Sequence, residues 1–579
     1  MKQVKYFIFI LAIGSISCNK LIDLSPSSNL NTSTYYSNTS EINSALTGCY
    51  NGLQKPMLDE WSLTELRSDN TQMGQSAGTL SVPNRLLSDL DEFIPSTSAS
   101  GIYNYWINTY FNIRNINTVL NSINVNYDPS AGNITYDSLS LPVTSADRKL
   151  ISAEATFLRA NHYFNLVRLF GGVFLIHEPV SAQLAQSINR SQAADIYKLI
   201  IADLQNTIAN GIKNTYSAIP AASIGKANAW AAKALLAKVY LTLNRKAEAI
   251  FLLQDVINNS GYKLVSNYAD VFSINNEMNA EILFTVRFKA GGLGLGSTLP
   301  NSFAPLSSGS AVVNGSGTGL NYPTAELNNS YFTTTSTGSV KKDSVRVVLL
   351  AANTSINPGM FVSGTQIAPG TTVAAISGNI LTLSTPPTAT LATASITIGD
   401  LRKPLSIGVY GTKNILYPLK MISNPAIVND AENDWPVIRF ADVLLMMAEA
   451  QGNTSSSLSY INQTRARAGL PPLTSANVST IDQFETALSN ERRWEFAFEN
   501  QRWFDLTRFN TTLSTIKVEQ LMKNHFAAMY TVWYGTYPAP NLSLLELQAN
   551  ANTNKMLLPI PQYEIDTNTG IVIPQNPGY

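Results

Sequence analysis

Two carboxylates four residues apart, Glu491 and Glu495, invite an acid–base reading. They lie in NERRWEFAFENQRWFDLTRF, residues 490–509, which holds three glutamates, one aspartate and four arginines among two tryptophans and four phenylalanines. A glycosidase needs two carboxyl groups flanking a bond held between them, usually from separate elements across a cleft. Residues i and i+4 of one helix instead lie side by side, with Cβ atoms about 5–6 Å apart. Arg492, Arg493 and Arg502 crowd the same acids, which favours ionised carboxylates over a raised-pKa acid. Trp494, Phe496, Phe498, Trp503 and Phe504 occupy most faces of the predicted helix. The stretch therefore reads as scaffold, an enclosed ion network containing Glu491, Glu495 and Arg502, and no catalytic residue is assigned.

The other routes to chemistry are weaker. His162, His177 and His525 are scattered, with no carboxylates placed to complete a metal site, so neither a metal nor a cofactor is expected. There is no P-loop. GGLGLG at 291–296 lacks the strand-to-helix setting of a dinucleotide fingerprint and reads as a flexible loop. RSDN at 67–70 offers Asp69 and Asn70 to sugar hydroxyls or a cation, with a turn or helix cap as the plainer alternative. Function then falls to binding. Sugar rings present apolar faces that stack on aromatic side chains, while their hydroxyls want Asn, Asp, Arg and Gln. Aromatics on irregular segments are better candidates than those in helical stripes. Trp61 and Trp106 bracket the first loop-rich region, Phe303 and Tyr322 lie in the second, and Trp533, Tyr534 and Tyr537 sit in YTVWYGTYPAP. Core packing is the competing reading for Trp106 and Trp533.

These residues sit in a chain of 579, of which 45% are hydrophobic and only 13% charged. Its 39 basic and 39 acidic residues cancel, which leaves no electrostatic footprint for nucleic acid. Lys2 and Lys5 precede an apolar run, Tyr6 to Ile16, too short to span a bilayer and suited to a signal peptide. GSISC follows. A small residue before Cys18 resembles a bacterial lipobox, which implies cleavage there and acylation of Cys18. Residues 1–17 are then the signal peptide and 18–33 a lipidated tether. Acylation of Cys18 leaves Cys49 without an intrachain partner.

Helical spacing recurs along the rest. Glu41–Leu53, Tyr103–Asn124, Arg148–Phe170 and Ala193–Ile212 each read as a helix. In the third, Ala153, Phe157, Ala160, Phe164 and Val167 form one apolar face. Lys226–Asn258 reads as a helix pair turned at LNRK, with small alanines where the helices cross, similar to a tetratricopeptide unit. Phe440–Ala450 with Ser457–Ala468 makes another pair, and Ile481–Phe509 one long helix. Residues 54–100 and 286–330 read as loop-rich. Residues 340–398 change character, with short β-prone runs punctuated by Gly and Pro. Val373–Ile376 and Ile380–Leu383 flank SGN, a hairpin signal.

Three stretches carry a family resemblance: AEATFLRANHYFNLVRLFGGVFLI, the NERRWEFAFENQRWFDLTRF segment and the ending LLPIPQYEIDTNTGIVIPQNPGY. Together with CNKLIDLSPSS they resemble the SusD/RagB family of outer-membrane nutrient-binding lipoproteins of Bacteroidota. The resemblance implies a mainly α fold, a superhelix of degenerate tetratricopeptide-like repeats with long loops, over 34–339 and 399–579. The β-rich insertion at 340–398 departs from it, delaying GDLRK to 399–403. The resemblance further implies surface capture of an oligosaccharide and a SusC-like TonB-dependent transporter as partner. By position, loops at 61–106 and 290–325 match the starch-binding member's contacts. The alternatives are a peptide-binding lid of the RagB type, a surface glycoside hydrolase and a non-catalytic structural adaptor.

Overall fold

The computed structural model describes residues 36–74, 82–536, 542–568 and 570–579. Cys18, the signal peptide, the tether and Tyr537 lie outside the described residues. Helices α1 (Thr39–Asn51), α2 (Gln54–Leu63), α3 (Val82–Asp91), α4 (Ser100–Ser122), α5 (Ser145–Phe170) and α6 (Ala193–Asn210) build the N-terminal half. They are followed by α7 (Ala229–Thr242) and α8 (Lys246–Asn259). Side-chain caps set several starts: Asn38 accepts the Ser40 and Glu41 N–H groups, and Asn228 those of Trp230 and Ala231. Gly171, at φ 70°, ends α5 as a left-handed stop. Asn244, at φ 56°, turns the chain between α7 and α8.

Packing follows the small residues. Alanines at 231, 234 and 237 are fully buried in α7, which packs against α6 and α8. Helix α5 lies between α4 and α6 and is buried nearly all round from Ile151 onward. A long loop region, 260–330, leads out of α8. The chain returns through α9 (Phe440–Gln451), α10 (Ser455–Arg467), α11 (Ile481–Phe496), α12 (Arg502–Thr512) and α13 (Val518–Tyr530). One apolar core runs through both halves, from Ile42 to Ile573. The mainly helical class and the paired-helix plan agree with the sequence.

Two elements differ from the expectation. The 54–100 region holds α2 and α3. In α2, Pro56 falls in the first turn, where its missing N–H would have had no intrahelical acceptor. The expected single helix over Ile481–Phe509 is two, because the chain breaks at Ala497–Gln501. Phe498 and Asn500 there take φ of 66° and 59°, a conformation rare for L-residues. The buried Glu65 carboxylate accepts the Phe498 N–H at 2.8 Å and holds the break in place.

The inserted segment forms a six-stranded antiparallel sheet that begins at Thr333 and ends at Gly399, slightly wider than the sequence suggested. Its strand order is Phe361–Gly364, Leu391–Gly399, Thr333–Val340, Arg346–Leu349, Ile380–Leu383 and Val373–Ser377. The Gly378–Asn379 turn joins the last two, with Gly378 at φ 59°. A bridge between Phe361 and Thr372 brings the two outer strands together, so the sheet curls into a small barrel. Val347, Leu381, Ile396 and Ile398 fill it, and Ala468 and Leu470 of the helical body pack against that core. Thr333 and Gly399 are paired neighbours, so the chain enters and leaves the barrel at one point.

Candidate ligand-binding site

The 490–509 stretch lies inside the molecule. Glu491 and Glu495 are both fully buried. They share one guanidinium nitrogen, Arg402 Nη1, at 2.7 and 3.1 Å. Arg402 also grips Asp400 at 2.7 Å. Arg439 reaches Glu495 at 2.6 Å, Glu281 at 2.7 Å and Glu499 at 2.8 Å, and Arg467 contacts Glu495 and Glu281 as well. Burial pushes the Glu495 carboxyl up, but Arg467, Arg439 and Arg402 outweigh it and hold it well below the usual carboxylate range. Such a group stays ionised and donates no proton.

Arg502 contacts neither glutamate. Its guanidinium forms a two-pronged pair with Asp69 at 2.8 and 2.9 Å and also donates to Ser489. It belongs to an adjoining cluster in which Arg493 reaches Asn70 Oδ1 at 2.9 Å, Glu326 at 2.9 Å and Asp69 at 3.2 Å. Burial raises the Asp69 carboxyl, and Arg493 and Arg502 more than reverse it. Asp69 borders a polar cleft of about 400 Å3. Both its oxygens are nonetheless taken by guanidinium groups, and the Asn70 amide donates to Glu65 at 2.9 Å. These two residues anchor the 64–74 loop to the helices beneath.

The aromatic candidates are placed as follows. Trp61 and Phe303 are buried and meet edge to face at 5.3 Å. Trp106 is 1% exposed. Tyr322 is buried where two distant loops are sewn together: Thr71 pairs with Pro323 and Gln72 with Tyr322. Its hydroxyl accepts the Leu306 N–H at 3.1 Å. A Cβ at Gly74 would lie 2.1 Å from the Gly319 carbonyl, so only glycine permits that approach. Of the histidines, His162 is buried beside Asn112 and its pKa is depressed to about 3 by burial, while His525 pairs with Glu326 at 2.8 Å. The GGLGLG backbone amides of Gly291 and Gly292 donate to Asp430 at 2.7 and 2.8 Å, so an internal carboxylate fills that nest. Among the described residues, no group of three or more His, Cys, Asp or Glu is placed to hold a metal ion.

Trp106 does underlie a concave surface. A half-open groove of about 330 Å3 runs between the outer face of α4, the chain after α5, and the C-terminal helix Gln562–Thr567. Helical spacing puts Trp106, Tyr110 and Arg114 in one row on α4. Trp106 lies 5.0 Å from Tyr110 and 5.8 Å from Phe174, ring to ring, and the Tyr110 hydroxyl donates to the Phe174 carbonyl at 2.8 Å. Tyr110 and Phe174 are half-buried and form the accessible floor. Arg190 fixes the opposite wall, donating to Gly172 at 2.7 Å, Pro574 at 2.5 Å and Asn576 at 2.6 Å.

The rim is polar and uncommitted. Arg114, Glu178, Gln186 and Glu564 line the groove, and no side-chain hydrogen bond or ion pair occupies them within the described residues. Asn568 Oδ1 is buried there without a partner. Burial pushes the Glu564 carboxyl up. An apolar floor with a few convergent polar groups is the usual form of a small-ligand site. Sequence reasoning missed Tyr110, Phe174 and Glu564 because it sought aromatics on loops. The available signal was a second apolar stripe on α4: Ile107 and Phe111 face outward, 43% and 58% exposed, opposite the core row.

Comparison with known proteins bears on this arrangement. One family model, described as the SusD family, matches residues 406–579, and another, described as starch-binding associating with outer membrane, matches residues 20–241. The chain belongs to the SusD/RagB family. It is similar over 98% of its length to SusD-like protein P25 of Formosa agariphila, 24% identical across 97% of that protein. It is also 24% identical to a SusD-like protein of Bacteroides ovatus over 74% of both chains. Among solved structures, a laminarin-binding SusD-like protein superposes with TM-score 0.63, at 21% identity, covering 94% of this chain and all of that one. Surface glycan-binding protein A from Bacteroides thetaiotaomicron, in complex with laminarihexaose, gives TM-score 0.63 at 16% identity, over 93% and 99%. These proteins share the fold described above. The second family description places such proteins at the outer membrane.

Proposed function

We propose that this protein is a non-catalytic, cell-surface glycan-binding lipoprotein that captures oligosaccharide in the Tyr110–Phe174 groove and passes it to a SusC-like TonB-dependent transporter. The observation that carries the reading is the aromatic floor ringed by polar side chains that have no hydrogen-bond or ion-pair partner among the described residues. A pyranose ring stacks its apolar face on such a floor, and its hydroxyls satisfy Arg114, Glu178, Gln186 and Asn568 at the edge. The laminarin and laminarihexaose named for two structural relatives make a neutral β-glucan the first ligand to try. Absence of bond chemistry is supported by the enclosure of the paired acids, since Glu491 and Glu495 are fully buried and both held by Arg402. Acylated Cys18 supplies the anchor in this reading, and among the described residues no helix is long and apolar enough to cross a membrane.

Calorimetric titration with laminarihexaose, a panel of other neutral oligosaccharides and a set of short peptides tests it. Arg114 is exposed and has no ion pair among the described residues, so Arg114→Ala leaves melting unchanged. Loss of a hydrogen bond from a charged donor costs about 1.5–3 kcal/mol, which is about tenfold or more in affinity. Peptide binding with no saccharide bound would overturn the reading, as would wild-type glycan affinity in an Arg114→Ala, Gln186→Ala double variant.

A further inference from the structure

A second groove, remote in sequence from the first, lies where the barrel meets the helical body. Its volume is about 690 Å3. Phe361, Val362 and Ile367 line it from the barrel, Leu405 from the short helix Arg402–Ser406, and Ile407 and Val409 from the strand Ile407–Tyr410. Val409 is 60% exposed and marks the open side. Every other lining side chain is apolar or a neutral hydroxyl or amide, with one exception, Lys403. No carboxylate pairs with Lys403 among the described residues, and the acid nearest in sequence, Asp400, is committed to Arg402 at 2.7 Å. Burial draws the Lys403 ammonium below its ordinary value. A half-buried cation without a counter-charge is costly, and an anion brought beside it relieves the cost.

The groove's chemistry differs from that of a sugar site. Its walls are mainly apolar, with hydroxyl or amide side chains only at Asn328, Thr333, Ser363, Thr371 and Thr397, so many of a sugar's hydroxyls would lose hydrogen bonds to water without replacement. We propose that this groove binds a free long-chain carboxylate, its head on Lys403 and its acyl chain along Phe361, Ile367, Leu405 and Ile407. One cation calls for one negative charge, and a cavity within the range of about 300–1,000 Å3 typical for small-molecule ligands has room for an acyl chain. This site is independent of the Tyr110–Phe174 groove and does not rest on glycan binding there.

The test is calorimetric titration of the full chain carrying Cys18→Ser, so that no detergent competes, with octanoate, decanoate and dodecanoate below their micelle concentrations. Affinity is expected to rise about fourfold for each added methylene, the equivalent of about 0.8 kcal/mol buried per CH2. Decanol and decyltrimethylammonium are expected to bind about tenfold more weakly than decanoate, for want of the charged contact. Lys403→Met should bring decanoate down to the level of decanol and leave decanol unchanged, while Ile367→Glu should remove both. Laminarihexaose affinity should be untouched by either variant. Decanol binding as tightly as decanoate, decanoate binding unaffected by Lys403→Met, or no binding of any chain length each overturns the proposal. So does Lys403-dependent binding to phosphatidylglycerol vesicles without binding of free decanoate, which would assign the groove to a membrane surface instead.

Discussion

Glu495→Ala separates an ionic scaffold from a site. The carboxylate is fully buried and contacts Arg402, Arg439 and Arg467. Truncation strips none of the three bare. Arg402 keeps Asp400 and Glu491, Arg439 keeps Glu281 and Glu499, and Arg467 keeps Glu281. The cluster is short of one negative charge, which puts the cost at the low end of the range for breaking a buried pair, about 3 kcal/mol. Unfolding entropy of about 2 cal/mol/K per residue, over a chain of this length, converts that to a fall in melting temperature of about 3 °C. Differential scanning calorimetry reads the shift, and laminarihexaose titration reads the site. Glu495→Gln resolves the cause, because it keeps the shape and removes the charge. A charge-borne cost leaves Gln as destabilising as Ala, since its amide N–H groups face three guanidiniums. Full rescue by Gln would refute the electrostatic reasoning in favour of packing. Normal melting with lost glycan binding would refute the scaffold assignment altogether.

Three further outcomes are expected. Glu60 and Glu65 are buried, and burial raises both carboxyls to about 7, above their unfolded values; the folded state therefore binds more protons between about pH 4 and 7, and stability falls as pH rises through 7. Melting should be higher at pH 6 than at pH 8, and Glu60→Gln should raise the pH 8 value and flatten the slope; pH-independent melting in the wild type would contradict this. Replacing residues 334–398 with a short Gly-Ser link should leave a folded, glycan-binding helical body, because Thr333 and Gly399 are adjacent in the sheet; an aggregated or unfolded product on gel filtration would show that Ala468 and Leu470 need the barrel over them. Cys18→Ser should abolish labelling by a radioactive fatty acid and release a folded soluble protein, and continued labelling of the variant would sink the lipoprotein assignment.

Helix α5 was legible because its information is local: five apolar residues at three- and four-residue spacing, then a glycine stop. The barrel's hairpin at Gly378 was legible for the same reason. The break at Ala497–Gln501 was not. Apolar periodicity carries on across it, and what enforces it is Glu65, more than 430 residues away, accepting the Phe498 N–H. Partners in the ion network were equally hidden. Glu491 and Glu495 announce that cations are needed, but nothing in the sequence says that Arg402, Arg439 and Arg467 supply them while Arg502 turns to Asp69. The loop-rich reading of 286–330 also misled, because Tyr322 and Phe303 there sit in a short strand and a short helix and are buried, whereas the more open aromatics of the Tyr110–Phe174 groove lie on α4 and on the segment that bridges to Arg190.

The placement of charge explains how loops this long can hold a surface. Only 13% of the chain is charged, yet Asp69, Glu281, Arg402, Arg439, Arg493 and Arg502 are all buried. Asp69, Glu281, Arg402 and Arg439 come from loops or the ends of elements far apart in the chain and converge on α11 and α12, which supply Arg493 and Arg502. An apolar contact tolerates sliding, but a guanidinium fork on a carboxylate does not, since its hydrogen bonds fix direction as well as distance. Each such pair pins one loop: Asp69 the 64–74 segment through Arg502, Glu326 the 306–330 segment through Arg493, and Arg402 the exit from the barrel through Glu491 and Glu495. The 490–509 stretch is thus the clamp that holds the loop-bearing surface in register. Asp69→Asn tests that role apart from stability, because it weakens the Arg502 fork without touching the Tyr110–Phe174 groove. Amide hydrogen exchange should then quicken at Thr71–Gly74 and at the paired Tyr322, while α5 and α7 stay protected. Uniform loss of protection would show a general weakening of the core and refute the clamp.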